Sequence, residues 1–551
     1  MMTLDLSLWR WALLLMVGGS VLIGGRGACA QPARGPAARP QPGIDVQDYD
    51  FALTLSDTTD RIEGTATVHV RIDADTLTAV RLDLIGRAPG GETGMRVRSV
   101  SEAGRAVSYR HADDLLRIRP PDLAAGQTRT FRIEYAGVPD DGLIIGTNQH
   151  GDRTFFGDNW PNRARHWLPV VDHLSDKATV EFRVTAPARY DVVSNGALVR
   201  DSTSGGTRHT LWRTDVPLPP KVMVIGVADF AVDTAGTVDG VPVQSWVYPE
   251  DRGPGLKDLG QAPPILRFFE ENLGPYPYAK LANVQSTTRY GGMENAAAIF
   301  YSETAVADGE DDTSLLAHEI AHQWYGNTVT EADWPHLWLS EGFATYLTGL
   351  YLEHARGAAA LRQYMTAARR QVVQFHDANP DTPLVDTTYS DPNELLNTNP
   401  YQKGGWVLHM LRREVGTDTF WRGLRAYYER YRDGNASTRD FRAVMEDVSG
   451  QDLEAFFDQW TRRPGHPVIE GTWRHDAAAG ECVVTLRQTQ DEPPFEVPVQ
   501  VALGESPSRT TTLFMRGREA QSRVDCPRAP SSVTLDPNTD LLAELSMRRA
   551  Q

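Results

Sequence analysis

Residues 318 to 322 read HEIAH, inside the longer run LLAHEIAHQWYGN. Successive residues of a helix are rotated by about 100°. His318 and His322, four apart, therefore project from one face a turn from each other. Two imidazoles so placed can share one divalent cation, and Glu319 stands beside them, offset around the helix. That set suits hydrolysis, in which a metal activates water and a carboxylate takes the water's proton. The bare pattern arises by accident in about two of a hundred chains of this length. It needs a third ligand to carry weight.

A hydrolytic zinc centre takes three protein ligands and leaves one position open. Eighteen residues intervene between His322 and Glu341 in LWLSEGFATY. The interval suits a loop, TVTEADWPH, and a second helix folded back beside the first. From there Glu341 would complete a His-His-Glu set. Alone, Glu341 is an ordinary helix carboxylate; the upstream pair gives its position meaning.

These residues need elements to hold them. From Ile44 to Tyr248 the chain runs in short alternating stretches such as YDFALTLSD, RIEGTATVHVRI and ATVEFRVTAP, broken by Gly, Asp, Pro and Asn. The pattern predicts a sandwich-like β domain over 44–248. Helical spacing then takes over: APPILRFFEENLG, DDTSLLAHEIAHQWYG, LWLSEGFATYLTGLYLEHARG and YQKGGWVLHMLRREVG repeat apolar residues at three and four. One β-rich stretch, Leu281 to Phe300, interrupts them. This mainly helical domain with some β spans 249–466, and a small C-terminal β domain follows over 467–551. The fold class expected is multidomain, β together with α+β.

The N-terminus reads as an export signal. WALLLMVGGSVLIGG (Trp11 to Gly25) is apolar and uncharged, follows Arg10, and leads to Ala28-Cys29-Ala30, a small-x-small cleavage pattern before Gln31. Residues 1–30 are the expected signal peptide, and the Pro/Ala-rich 31–43 a linker. Export to the periplasm or beyond follows; an uncleaved segment would instead anchor the chain to the membrane. Cys482 and Cys526, the two cysteines left after cleavage, are the expected disulfide pair of an exported chain. The 551 residues carry 72 acidic and 55 basic side chains, a net charge of −17. That balance argues against nucleic acid as a partner, since binding it needs a cationic surface.

HEIAHQWYGNTVTEADWPHLWLSEGFATY resembles the zinc core of the gluzincin aminopeptidases, the family of aminopeptidase N and leukotriene hydrolase. About twenty-five residues upstream, GGMEN (Gly291 to Asn295) is similar to that family's G-x-M-E-N signature. Downstream, YQKGGWVLHML (Tyr401 to Leu411) resembles its Y-x-K-G-x-x-V-L-x-M-L segment, and FFEENLGPYPYAKL and FDQWTRRPGHPVI match its flanks in style. The likeness runs from about Tyr49 to the end and is densest between Phe268 and Pro467.

The resemblance implies a thermolysin-like catalytic domain holding one zinc ion through His318, His322 and Glu341. It implies that Glu319 is the general base for the metal-activated water and that the Tyr401 hydroxyl stabilises the oxyanion. Gly291, Gly292, Met293, Glu294 and Asn295 would bind substrate, with Glu294 receiving the free amino terminus of a peptide, and Tyr290 would shape the pocket for its first side chain. Two other readings stay open: an epoxide-opening hydrolase of the leukotriene type, and a non-catalytic peptide-binding relative. One departure stands out. In GDNWPNRARHWLP, Trp160 falls near the place where many members put a second amine anchor, with Asp158 or Asn159 as substitutes. The short chain beyond the last β domain also suggests a cleft more open than that of larger relatives.

Overall fold

A computed structural model describes residues 41–504 and 510–550. The expected signal segment 1–30 and most of the 31–43 linker lie outside the described residues. The chain divides into two compact units, one running to Trp334 and including Asp391–Asn393 and Tyr428–Ser437, the other holding the remainder.

The first unit begins with an eight-stranded sheet. Its strand Ile44–Thr54 pairs antiparallel with Ile62–Ile72 and parallel with Ala178–Pro187. A bulge between Val46 and Asp48 shifts the alternation by one residue, so Val46, Tyr49, Phe51 and Leu53 all face the core. A four-stranded sheet (Asp191–Ser194, Ile225–Ala228, Arg153–Gly157, Leu143–Thr147) and a three-stranded one complete this β-rich domain.

A five-stranded sheet follows in the order Ala231–Val238, Val241–Val247, Leu281–Ser286, Ala298–Ser302, Gly292–Met293. Its strand Leu281–Ser286 is parallel to both neighbours and buried at all six residues. Burying Asn283, Gln285 and Ser286 is tolerated because each is hydrogen-bonded: Tyr301 Oη donates to Asn283 Oδ1, Ser286 Oγ to the Tyr301 carbonyl, and the Tyr248 amide to Gln285 Oε1. The helix Ala262–Leu273 starts on prolines, buries Ile265, Leu266, Phe269 and Leu273, and stops at Gly274, whose φ of 116° ends it.

The HEIAH helix covers Thr313–Ala321, shorter than the DDTSLLAHEIAHQWYG periodicity predicts, with His322 as its C-cap. The remaining residues tighten into a turn, Gln323 N to Ile320 O and Trp324 N to Ala321 O. Gly326, at φ 117°, then reverses the chain into the strand Val329–Glu331. Apolar spacing continues through Trp324 and Tyr325 because both are buried, which is why periodicity overran the helix.

In the second unit the helix Trp338–Arg356 is buried around its whole circumference from Trp338 to Leu352, as suits a central helix. Gly342 on it meets the chain at Gly404. A Cβ at 342 would lie 2.9 Å from the Gly404 backbone and 3.0 Å from the Pro400 carbonyl oxygen. The glycines let the turn carrying Tyr401 and the helix that follows it, Gly404–Val415, sit directly on the helix that begins with Trp338 and carries Glu341. The chain closes with a four-stranded sheet containing Val468–Asp476 and Glu481–Gln488 and a three-stranded one around Val497–Leu503. Cys482, on the second of these strands, is disulfide-bonded to Cys526.

Candidate active site

His318 lies in the last turn of its helix and His322 at the cap, so the four-residue spacing survives the helix's early end. Their Nε2 atoms are 3.1 Å apart and the rings meet edge to face at 82°. His322 Nδ1 is 3.1 Å from the carbonyl oxygen of Tyr325. A carbonyl only accepts, so Nδ1 donates to it and Nε2 is turned toward His318. Two ligands of a tetrahedral zinc ion, each about 2.0–2.1 Å from it, stand about 3.3 Å apart. The pair is spaced for that ion.

Glu341 sits in the first turn of Trp338–Arg356, where a helix N-terminus favours an anion. One ligand atom from each of His318, His322 and Glu341 lies within 4.8 Å of the others. The three residues and Glu319 are all between 1 and 7 % exposed. The donor set, two nitrogens and a carboxylate, is zinc's own.

Glu319 is held against the segment expected to bind substrate. Gly292–Met293 is the outermost strand of the five-stranded sheet and pairs antiparallel with Tyr301 and Phe300. A Cβ on Gly292 would fall 2.5 Å from Glu319 Cδ and 2.6 Å from its Cγ. Only glycine lets this edge lie flat on the carboxylate. Glu294 follows, 5 % exposed, and its backbone carbonyl accepts from Gln323 Nε2 at 3.0 Å and Asn327 Nδ2 at 2.7 Å. Gln323 also accepts from the Ala297 amide. The residues just past HEIAH thus clamp GGMEN to the histidine helix.

The Glu294 side chain has a buried Oε1 with no hydrogen-bond partner in the protein. Lys221 Nζ stands 3.8 Å from it but is bonded at 2.8 Å to Glu331 Oε1. Lys221, Gln323 and Asn327 were not among the residues expected from sequence. Their one signal there is a charged or amide side chain within an otherwise apolar run (PPKVMVI, HQWYGN), where a buried polar group must find a partner.

The remaining expected residues fall as follows. Tyr401 is half-buried in the wide-turned helical segment Asn399–Lys403. Tyr290 is half-buried, with the Arg163 guanidinium 5.8 Å from its ring, and burial pushes its phenol up. Trp160 packs edge-on to Tyr290 and Trp334. Asn159 is committed to the fold: its amide donates to the Pro220 and Met223 carbonyls and its oxygen accepts from the Trp167 indole. Asp158 Oδ1 accepts from Arg163 at 2.6 Å, although burial outweighs that guanidinium and raises the carboxyl.

Residues 258–460 match the peptidase family M1 domain, and residues 46–220 the peptidase M1 N-terminal domain. Human glutamyl aminopeptidase is 26 % identical over 402 residues, 70 % of this chain and 42 % of the human protein. Aminopeptidase M1-A of Oryza sativa subsp. japonica is 29 % identical over 326 residues, 56 % of this chain and 37 % of the rice protein. The chain spans less than half the length of these two curated relatives. A solved M1 zinc metallopeptidase of Deinococcus radiodurans, a mutant bound to the substrate Tyr-Ser-Ala, matches with a TM-score of 0.66 and 27 % identity. That match covers 77 % of this chain and 95 % of the solved one.

Replacing His322 with alanine should lower bound zinc, read by plasma mass spectrometry, from about one ion per chain to a small fraction. Gly292→Ala should leave zinc content unchanged, since it displaces Glu319 and touches no ligand.

Proposed function

Because the chain belongs to the peptidase M1 family, we propose that it is an exported zinc aminopeptidase that removes residues from the free N-termini of peptides. The observation that carries this reading is the contact between the outermost strand at Gly292 and the carboxylate of Glu319. A peptide extending that sheet by one strand would bring its backbone to the general base.

His318, His322 and Glu341 would hold the zinc, which when bound supplies Lewis acidity to the water and the scissile carbonyl. Glu319 takes the proton as the water oxygen bonds to the carbonyl carbon. It returns that proton to the amide nitrogen as the carbon–nitrogen bond breaks, so the amine leaves neutral. The Tyr401 hydroxyl donates to the oxyanion that develops on the carbonyl oxygen. Glu294, with an acceptor oxygen that no protein donor uses, receives the substrate's ammonium group. This ion pair makes the enzyme an exopeptidase, because an internal peptide bond offers no cation there.

Export rests on the apolar segment Trp11 to Gly25 and the Ala28-Cys29-Ala30 pattern, and the Cys482–Cys526 disulfide suits an oxidising compartment. The protein recovered outside the cytoplasm should begin at Gln31 by N-terminal sequencing; a start at Met1 would contradict cleavage.

Glu319→Gln should keep its zinc and lose at least about a thousandfold in kcat, and Tyr401→Phe about a hundredfold. A zinc-loaded Glu319→Gln enzyme with substantial turnover would remove Glu319 from the mechanism. Peptides acetylated at the N-terminus should be hydrolysed at least about a hundredfold more slowly than free ones, and Glu294→Gln should narrow that gap mainly through KM. Equal rates on free and blocked peptides would make the enzyme an endopeptidase.

A further inference from the structure

A second group of carboxylates lies outside the catalytic machinery. Asp258 is on the helix Arg252–Leu259, Asp308 in the loop after the strand Ala298–Ser302, and Asp312 at the N-cap of the helix that carries His318. One oxygen from each lies within 4.8 Å of the others. Asp258 and Asp312 are 1 % and 0 % exposed, and all four of their carboxylate oxygens are sealed from solvent with no well-formed hydrogen bond, although the Gly309 and Ala307 amides lie close to Asp258. An N-cap aspartate ordinarily accepts from the first turn of its own helix. Asp312 makes no such bond.

Two buried carboxylates without well-formed hydrogen bonds are costly, and a third close by adds to the cost. Burial and the neighbouring Asp258, Asp308, Asp311 and Glu310 push Asp312 up to about 8. Burial likewise raises Asp258, outweighing the pull of the nearby Gly309 and Ala307 amides and of the Lys257 side chain. Lys257 is itself exposed. Among the described residues no arginine or lysine forms an ion pair with any of the three.

We infer that Asp258, Asp308 and Asp312 bind a structural calcium ion that fastens the Arg252–Leu259 helix and the 303–311 loop to the start of the histidine helix. The donors are all oxygen, as calcium requires, and two ligands about 2.4 Å from one ion can stand about 4.8 Å apart. Asp308 is exposed, which gives the ion a way in and leaves room for water to complete its shell. The ion would also supply the charge that holds two buried carboxylates ionised.

The test uses the full mature, zinc-loaded protein in calcium-free buffer, titrated with CaCl2 and followed by calorimetry and thermal melting. Saturable binding with Kd between about 10⁻⁵ and 10⁻³ M is expected, with a Tm rise of about 3 °C or more near a hundredfold excess over Kd. Zinc content should not change. Asp258→Asn and Asp312→Asn should abolish the rise, and Asp312→Asn should melt no lower than wild type without calcium because it replaces a carboxyl group that is costly to ionise there. Asp308→Asn, at an exposed position that puts folding at no risk, should weaken calcium binding at least about tenfold. The inference is overturned if CaCl2 produces no saturable heat or Tm rise, if KCl at equal ionic strength reproduces the rise, or if the asparagine variants keep it.

Discussion

The interior around HEIAH depends on how charge is neutralised where water is excluded. His318, His322, Glu319 and Glu341 are all nearly sealed, and charged groups in such surroundings need partners of opposite sign. The 3.1 Å separation of the two Nε2 atoms also suits a shared ion, since facing lone pairs repel unless a proton or a metal lies between them. The Tyr325 carbonyl accepts from Nδ1 of His322 and turns that ring's Nε2 toward His318. A metal ion suits these surroundings, and Glu319 is placed by the same helix that places the two histidines.

That placement is made by small residues and amides more than by large side chains. Gly292 allows a strand edge to touch a carboxylate, and Gly342 with Gly404 allows a helix and a turn to touch through their backbones. Gln323 and Asn327 use three bonds to the main chain at Glu294 and Ala297 to fix the strand segment against the helix. Each device fails on adding a methyl group or losing an amide, which leaves such positions little freedom to vary.

The placement of these residues was legible in the sequence wherever it is written locally. Four-residue spacing is a helical fact, so HEIAH put His318 and His322 side by side, and GGMEN announced a glycine-rich edge beside an acid. The order of β-rich, helical and β-rich regions followed from periodicity alone. What stayed hidden depends on contacts between distant residues. Lys221 gains its meaning from Glu331, 110 positions on, and from Glu294. The bulge at Val46 and Asp48 leaves no mark in an alternating pattern, and the helix end at His322 is masked by the buried Trp324 and Tyr325. Asp258 and Asp312 read as surface acids in solvated surroundings until the fold buries them.

The acids of the first unit also show how one charge can serve two purposes. Lys221 is 1 % exposed at its side chain, and its short bond goes to Glu331, whose second oxygen has no hydrogen-bond partner. Glu294 stands about an ångström further from the same ammonium, at 3.8 Å, attracted but not bonded. A closer lysine would satisfy Glu294 outright; a more distant one would leave it a buried carboxylate with no cation nearby. Because Coulomb energy falls only as the inverse of distance while a hydrogen bond needs contact, an intermediate spacing supplies the first without the second. Asp258 and Asp312 have no such lysine, and that difference separates a buried carboxylate held near a buried cation from a pair with none.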